Sequence, residues 1–270
     1  MNKINVFCDT MIWYYVADNK VKLDHDNFNY YGTAINIADF LSSNKNESSP
    51  EIKDIMKKAI IAMHEHSKDV ICIDPLTAGA SNLLRIEISD LEHKQYQEYY
   101  SALVDLATGR IDKIITSGAD AIIEQKSNFQ IYANDTKKQF NKLFRTKQYD
   151  VKKKGEIIMH CVADWLLGNF NNLFSKSFTM EEVEDWDAVI IFIKVYKQFI
   201  LDVDTRSKPE ANSMLDNLQL LYIRLGGDSL LWTTENKVLN KVRAQFSKEH
   251  YKNIIYQDYL GEEYNKNNRI

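Results

Sequence analysis

Ile4-Asn5-Val6-Phe7-Cys8-Asp9-Thr10 is the stretch that decides the fold. Residues 3–8 read as a short buried strand, and Thr10-Met-Ile-Trp-Tyr-Tyr-Val-Ala17 follows at once with helical character. A strand that feeds directly into a helix is the opening unit of a parallel α/β sheet, because parallel strands need crossover connections. An acid at the carboxyl end of such a strand faces the crevice where open α/β sheets bind ligands. The competing reading makes Asp9 or Thr10 a cap of the following helix.

Working outward, the Asn- and Ser-rich stretch from Ser42 to Pro50 reads as a loop. Ile55, Met56, Ala59, Ile60 and Met63 then fall at three- and four-residue spacing, which predicts a helix over 51–67. Val70-Ile-Cys-Ile73 is the second strand candidate, with Asp74-Pro75 suited to open another helix. Residues 81–200 are almost entirely helical in pattern, and Thr179 with Glu182 forms a capping-box signature. The α/β pattern then resumes. A helix is predicted over 215–225, a turn at Gly226-Gly227-Asp228 and a strand over 229–232. A helix over 235–246 and a last strand over 253–256 complete the pattern. The organisation expected is an α/β core from 1–90 and 205–270, split by a helical insertion over 91–204.

Apolar residues make up 44% and charged residues 27%, the balance of a globular chain. The net charge of -4 gives no general attraction to nucleic acid, so binding of that kind must use a local patch. Cys8, Cys72 and Cys161 are odd in number and far apart, which fits a reducing cytosol better than a disulfide framework or a zinc site. The N-terminus has too short an apolar stretch for a signal peptide, and no window is long enough to span a membrane. A cytoplasmic protein is expected.

Three acids share a context that points to chemistry. Asp9 ends a strand, Asp216 lies in a late helical pattern, and Glu235 follows Leu230-Leu-Trp-Thr-Thr234. Carboxylates brought from different strand ends make a site for a hard divalent cation. Cys8-Asp9-Thr10, Asn212-x-x-x-Asp216 with Tyr222, and Thr233-x-Glu235 together resemble the skeleton of PIN-like nucleases. The resemblance covers about a third of the chain.

The resemblance implies a three-layer α/β/α sandwich around a parallel sheet and cleavage of RNA, in some branches DNA, with Mg²⁺ or Mn²⁺. It implies Asp9, Asp216 and Glu235 as catalytic metal ligands, with Asp74 as an outside fourth, and Thr10, Asn212 and Thr233 as their supports. It also implies a Glu three residues after a Thr at the start of the helix following strand two. With Thr77 read as that Thr, the position holds Ala80, and the last acid is Glu235 where Asp is usual. The function implied is therefore a phosphodiester-hydrolysing endoribonuclease. The alternative is a catalytically inert module of the same fold that binds protein or nucleic acid.

Each acid has a plainer reading. Asp74 before Pro75 suits an N-cap, Asp216 could face solvent, Glu235 could serve a helix dipole, and Asp228 reads as a turn residue. His64-Glu-His66 reads as surface and His160-Cys161 as core. A phosphatase of the haloacid dehalogenase type needs a second Asp where Met11 stands. From Lys137 to Lys154 basic residues dominate, among them Lys142, Arg145, Lys152, Lys153 and Lys154, with Phe140, Phe144 and Tyr149 interleaved. That composition suits single-stranded RNA through phosphate pairing and base stacking, against the plainer reading of a solvated helix face. A protein partner or self-association is compatible with the sequence but not specified by it.

Overall fold

The computed structural model describes residues 3–46, 49–88, 90–114, 135, 138–139, 142, 150–202, 216–224, 229–234 and 254–256. The first strand, β1 (Ile4–Cys8), runs straight into α1 (Thr10–Ala17), as its sequence predicts. Strand β2 (Phe28–Thr33) leads into α2 (Ala34–Asn46) and α3 (Pro50–His66), and β3 (Asp69–Ile71) leads into α4 (Pro75–Leu84). Helices α5 (Asp90–Ala107), α6 (Val151–Phe174) and α7 (Ile190–Asp202) follow. A 3-10 turn over Gln219–Tyr222, β4 (Ser229–Thr233) and β5 (Ile254–Tyr256) complete the described chain.

The strands form one sheet in the order β3-β2-β1-β4-β5, and every pairing is parallel. β1 and β4 are neighbours, with Val6 opposite Leu230 and Cys8 opposite Trp232. β2 is a correction: the sequence reading counted the strand near residue 70 as the second, whereas Phe28–Thr33 precedes it and separates it from β1. The chain thus builds outward from β1 in one direction as far as β3, and then returns to build on β1's other side. The topological switch point falls between β1 and β4.

Helices cover both faces of this sheet, the condition under which parallel strands are stable. On one face Val6, Cys8, Leu230 and Trp232 pack with Ile12 and Trp13 of α1, Phe40 of α2, Ile60 and Met63 of α3, and Leu103 of α5. On the other, Phe7 and Leu231 pack with Ala78 of α4, Phe170 of α6, and Phe192 and Tyr196 of α7. The alternation Val6-in, Phe7-out, Cys8-in is the two-residue period of a strand read on both sides. Complete burial of a side chain such as Phe40 or Ile60 contributes about 1.5–3 kcal/mol. The architecture is a parallel α/β sheet with helices on either side.

Two local features explain how the layers close. Gly32 of β2 lies against α3 so tightly that an added Cβ would sit 2.7 Å from Met63 Sδ and 3.2 Å from Val70 Cγ2. Only glycine allows that helix to approach. On the opposite face Tyr222 stacks on Phe7 with ring centroids 5.6 Å apart, and its hydroxyl donates to Ile73 O at 2.6 Å. That bond ties Tyr222 to the chain just past the carboxyl end of β3.

Other expectations need adjustment. Within the helix predicted over 215–225, residues 216–218 are α-helical, tighten into the 3-10 segment and end in extended backbone at Ile223. Thr179 and Glu182 do bond as their spacing suggests, Thr179 N to Glu182 Oε2 at 2.7 Å, but they close a 3-10 turn rather than opening an α-helix. His160 and Cys161 are exposed, not core, because they lie on the outer side of α6. The predicted turn at 226–228 and the helix predicted over 235–246 lie outside the described residues.

Candidate functional site

Asp9 closes β1 at the carboxyl edge of the sheet, beside the switch point. Its backbone N–H donates to Trp232 O at 2.8 Å, which continues the β1–β4 ladder one residue past the strand. Its side chain is turned the same way: Thr233 Oγ1 donates to Asp9 Oδ2 at 2.9 Å. The residue occupies the N-cap position of α1, yet its carboxylate makes no cap hydrogen bond. The capping reading therefore fails for Asp9. A carboxylate only 5% exposed is instead held across the gap where α/β sheets bind ligands.

The other flank of Asp9 is fixed by α2. Asn36, fully buried, donates through Nδ2 to Cys8 O at 3.1 Å and to Thr10 Oγ1 at 3.0 Å, while its Oδ1 accepts from Thr33 N at 2.7 Å. Thr10 Oγ1 in turn donates to Asp39 Oδ2 at 2.8 Å. The carbonyl before Asp9 and the side chain after it are thus tied to the same helix. Of the two threonines, Thr233 bonds Asp9 directly, whereas Thr10 bonds Asn36 and Asp39. Thr33, Asn36 and Asp39 were not anticipated, because they belong to the strand and helix that the sequence reading missed.

That missed strand moves the Thr-plus-three position that the resemblance would imply. With Phe28–Thr33 as strand two, the Thr at its end is Thr33 and the residue three positions on is Asn36. Ala80, the earlier assignment, is fully buried in the apolar layer between α4 and the late helices, where no carboxylate is accommodated. The position holds an amide whose donors and acceptor are all engaged at short range.

Asp74 behaves as its plainer reading anticipates. Its Oδ1 accepts from Leu76 N at 2.9 Å and Thr77 N at 3.0 Å, and its Oδ2 takes the Thr77 hydroxyl in a short contact. This is the N-cap of α4, with Pro75 in the first turn. Asp216 is half-buried in the helical residues just before the 3-10 segment. Asn212 and Glu235 lie outside the described residues, as does Arg145. Lys142, Lys152 and Lys153 are exposed and Lys154 is half-buried. Asp150, the one acid of the basic run, caps α6 by accepting from Lys153 N at 2.7 Å.

Burial and local charge set the electrostatics. The Cys8 thiol is pushed well up, first by burial and then by the charge of Asp9 beside it, so it is held as a neutral thiol. Burial and then Asp39 push the Tyr14 hydroxyl up to about 12. Tyr222 is likewise raised well above 10.0, chiefly by burial and next by Asp74. Among the described residues no three His, Cys, Asp or Glu side chains converge closely enough to hold a metal ion. The carboxylate of Asp9 at the crevice is a hard oxygen donor of the kind that suits Mg²⁺ or Mn²⁺, and Glu235 follows Thr233 by two residues in the sequence.

No helix among the described residues is long and apolar enough to cross a membrane. The chain matches no protein-family model, no curated protein and no solved structure.

Proposed function

We propose that this protein is a metal-dependent phosphodiesterase of the PIN-like nuclease kind, acting on RNA at the crevice between β1 and β4. The observation that carries the reading is the Asp9–Thr233 pair, a buried carboxylate held across the topological switch point instead of capping its own helix. Asp9, with Asp216 and Glu235 as its sequence-assigned companions, would hold Mg²⁺ or Mn²⁺. A bound divalent ion lowers the pKa of its water and offsets the charge that builds on the phosphate in the transition state. Thr233 fixes one carboxylate oxygen of Asp9. Thr10 and Asn36 fix the backbone on either side, so the acid does not reorganise as substrate arrives. The basic stretch from Lys142 to Lys154 would supply the attraction for phosphates that a net charge of -4 does not.

The test is cleavage of a labelled single-stranded RNA with Mn²⁺ present or chelated, by wild type and Asp9→Asn. The reading expects Mn²⁺-dependent products from wild type and at least a hundredfold less from a folded Asp9→Asn protein. Equal cleavage by the two removes Asp9 from the chemistry.

The second reading, an inert module of the same fold that binds protein or nucleic acid, is favoured by Asn36. An amide stands where the resemblance implies an acid, and its hydrogen bonds are all directed at the protein. Retention of RNA with no cleavage under any divalent ion would favour it.

A further inference from the structure

Met11, Ile52, Ile55 and Leu173 are the large apolar side chains that stand exposed among the described residues, and the first three gather on one side of the sheet. Met11 is 37% exposed in the first turn of α1, and Ile52 and Ile55 are 47% and 44% exposed in the first two turns of α3. Both helices start at the carboxyl edge of the sheet. α1 leaves the end of β1, and α3 runs back to the amino edge because it feeds the parallel strand β3. They lie side by side, with Ile12 and Trp13 packing in one layer with Met56, Ile60 and Met63. The register agrees further along: Asp18, just past α1, acts on the Lys58 ammonium, whose first partner is Asp54 at 2.7 Å. Met11, Ile52 and Ile55 lie one to two turns back along the same two helices, so they form an apolar strip on the α1–α3 seam. Exposed apolar residues scattered singly need no explanation, but a contiguous group marks an interaction surface.

The charges beside the strip say what covers it. On α3 Glu51, Ile55 and Lys58 share one face, four and three residues apart, with the acid before the isoleucine and the base after it. Two such helices crossing antiparallel about Ile55 set Glu51 of each against Lys58 of the other, with the two isoleucines meeting at the axis. A two-fold contact between identical surfaces needs this self-complementary order, and a foreign partner does not. The Lys58–Asp54 pair is solvent-exposed at both ends, so it holds Lys58 only weakly. We infer that two copies of this chain associate through the α1–α3 face, α3 antiparallel to α3, with Met11, Ile52 and Ile55 as the apolar centre and Glu51–Lys58 pairs on either side. Such a dimer needs neither metal nor RNA at the crevice. Met11 stands two residues after Asp9, so the contact borders the crevice rim.

The full chain is measured by sedimentation velocity across about 1–100 µM, the weak end of specific association. The samples are wild type, Ile55→Ser, Glu51→Lys, Lys58→Glu and a one-to-one mixture of the last two. Wild type should be dimeric at the upper end of the range. Ile55→Ser should dissociate at least about tenfold more readily, with the melting temperature of the monomer unchanged because the side chain is already exposed there. Each charge variant alone sets like charges opposite one another and should stay monomeric. Their mixture should dimerise as wild type does, since every Lys then meets a Glu, and a folding defect is not repaired by mixing. Wild type that is monomeric across the range overturns the inference. A dimer that survives Ile55→Ser overturns it too, by placing the contact on another face. Charge variants that dimerise alone, or stay monomeric when mixed, overturn the antiparallel pairing. A monomeric wild type that sediments with anionic vesicles assigns the strip to a membrane surface instead, and overturns the dimer likewise.

Discussion

Thr233 and Asp9, 224 positions apart in the chain, meet in a 2.9 Å hydrogen bond that crosses from β4 to β1 at the sheet's carboxyl edge. Both side chains are buried, so the bond is shielded from water and the carboxylate has little solvent to fall back on. Hydrogen bonds to charged groups are worth about 1.5–3 kcal/mol. Thr233→Val keeps the shape and removes the donor, and should lower unfolding free energy by about 1–3 kcal/mol in urea titration. Thr233→Ser should recover most of that loss. A Val variant as stable as wild type would mean that Asp9 gains nothing from this partner.

Asp74 separates a capping role from a metal role. Its carboxylate is taken up by Leu76 N, Thr77 N and the Thr77 hydroxyl, so Asp74→Ala should cost about 0.5–2 kcal/mol of stability, the usual value of a lost N-cap. Asp74→Asn should restore much of it and leave Mn²⁺ affinity at the wild-type level. A tenfold drop in affinity for the Asn variant would return Asp74 to the metal site.

Alkaline pH should destabilise the protein through Tyr222. Its folded-state pKa is raised well above 10.0 by burial and by Asp74. Above pH 10 the unfolded chain therefore loses the phenol proton while the folded chain keeps it. Stability is fully present below pH 10 and falls as pH rises toward the folded value, with a slope of about 1.4 kcal/mol per pH unit for one such group. Cys8, raised by burial and by Asp9, starts a similar decline near its ordinary value of 9.0. Tyr222→Phe should lower stability at neutral pH, since the bond to Ile73 O is lost, and should flatten the fall above pH 10. An unchanged alkaline slope would contradict the assignment.

The lysines at the start of α6 can be tested by salt. Each phosphate contact removed should reduce the slope of log affinity against log salt by about 0.7 on a single strand. Replacing Lys152, Lys153 and Lys154 together by Ala should therefore weaken binding of single-stranded RNA and flatten its salt dependence. Unchanged affinity and slope would leave this run as a solvated helix face, with Lys153 paired to Glu156 at 3.4 Å.

The sheet was legible where strands carry unbroken apolar runs, as in Val6-Phe7-Cys8 and Leu230-Leu231-Trp232. β2 was not legible because Asn29 and Gly32 interrupt its pattern, although Tyr30, Tyr31 and Thr33 are strand formers by shape. Gly32 is there to let α3 approach, a tertiary reason that no local pattern expresses. Losing β2 shifted the count of strands, and with it the position three residues after a strand-end Thr, from Asn36 to Ala80. Asp9 could be placed at a strand end from sequence. Its choice of Thr233 over its own helix could not, because capping and cross-strand bonding use the same residue type at the same position.

The most direct test of the central claim is a crystal of the wild-type protein soaked in Mn²⁺, with anomalous differences measured above the manganese edge. The account predicts a peak at coordination distance, about 2.1–2.3 Å, from a carboxylate oxygen of Asp9, between the ends of β1 and β4. A saturated soak that shows manganese elsewhere, or none within reach of Asp9 while Thr233 still holds it, would contradict the account.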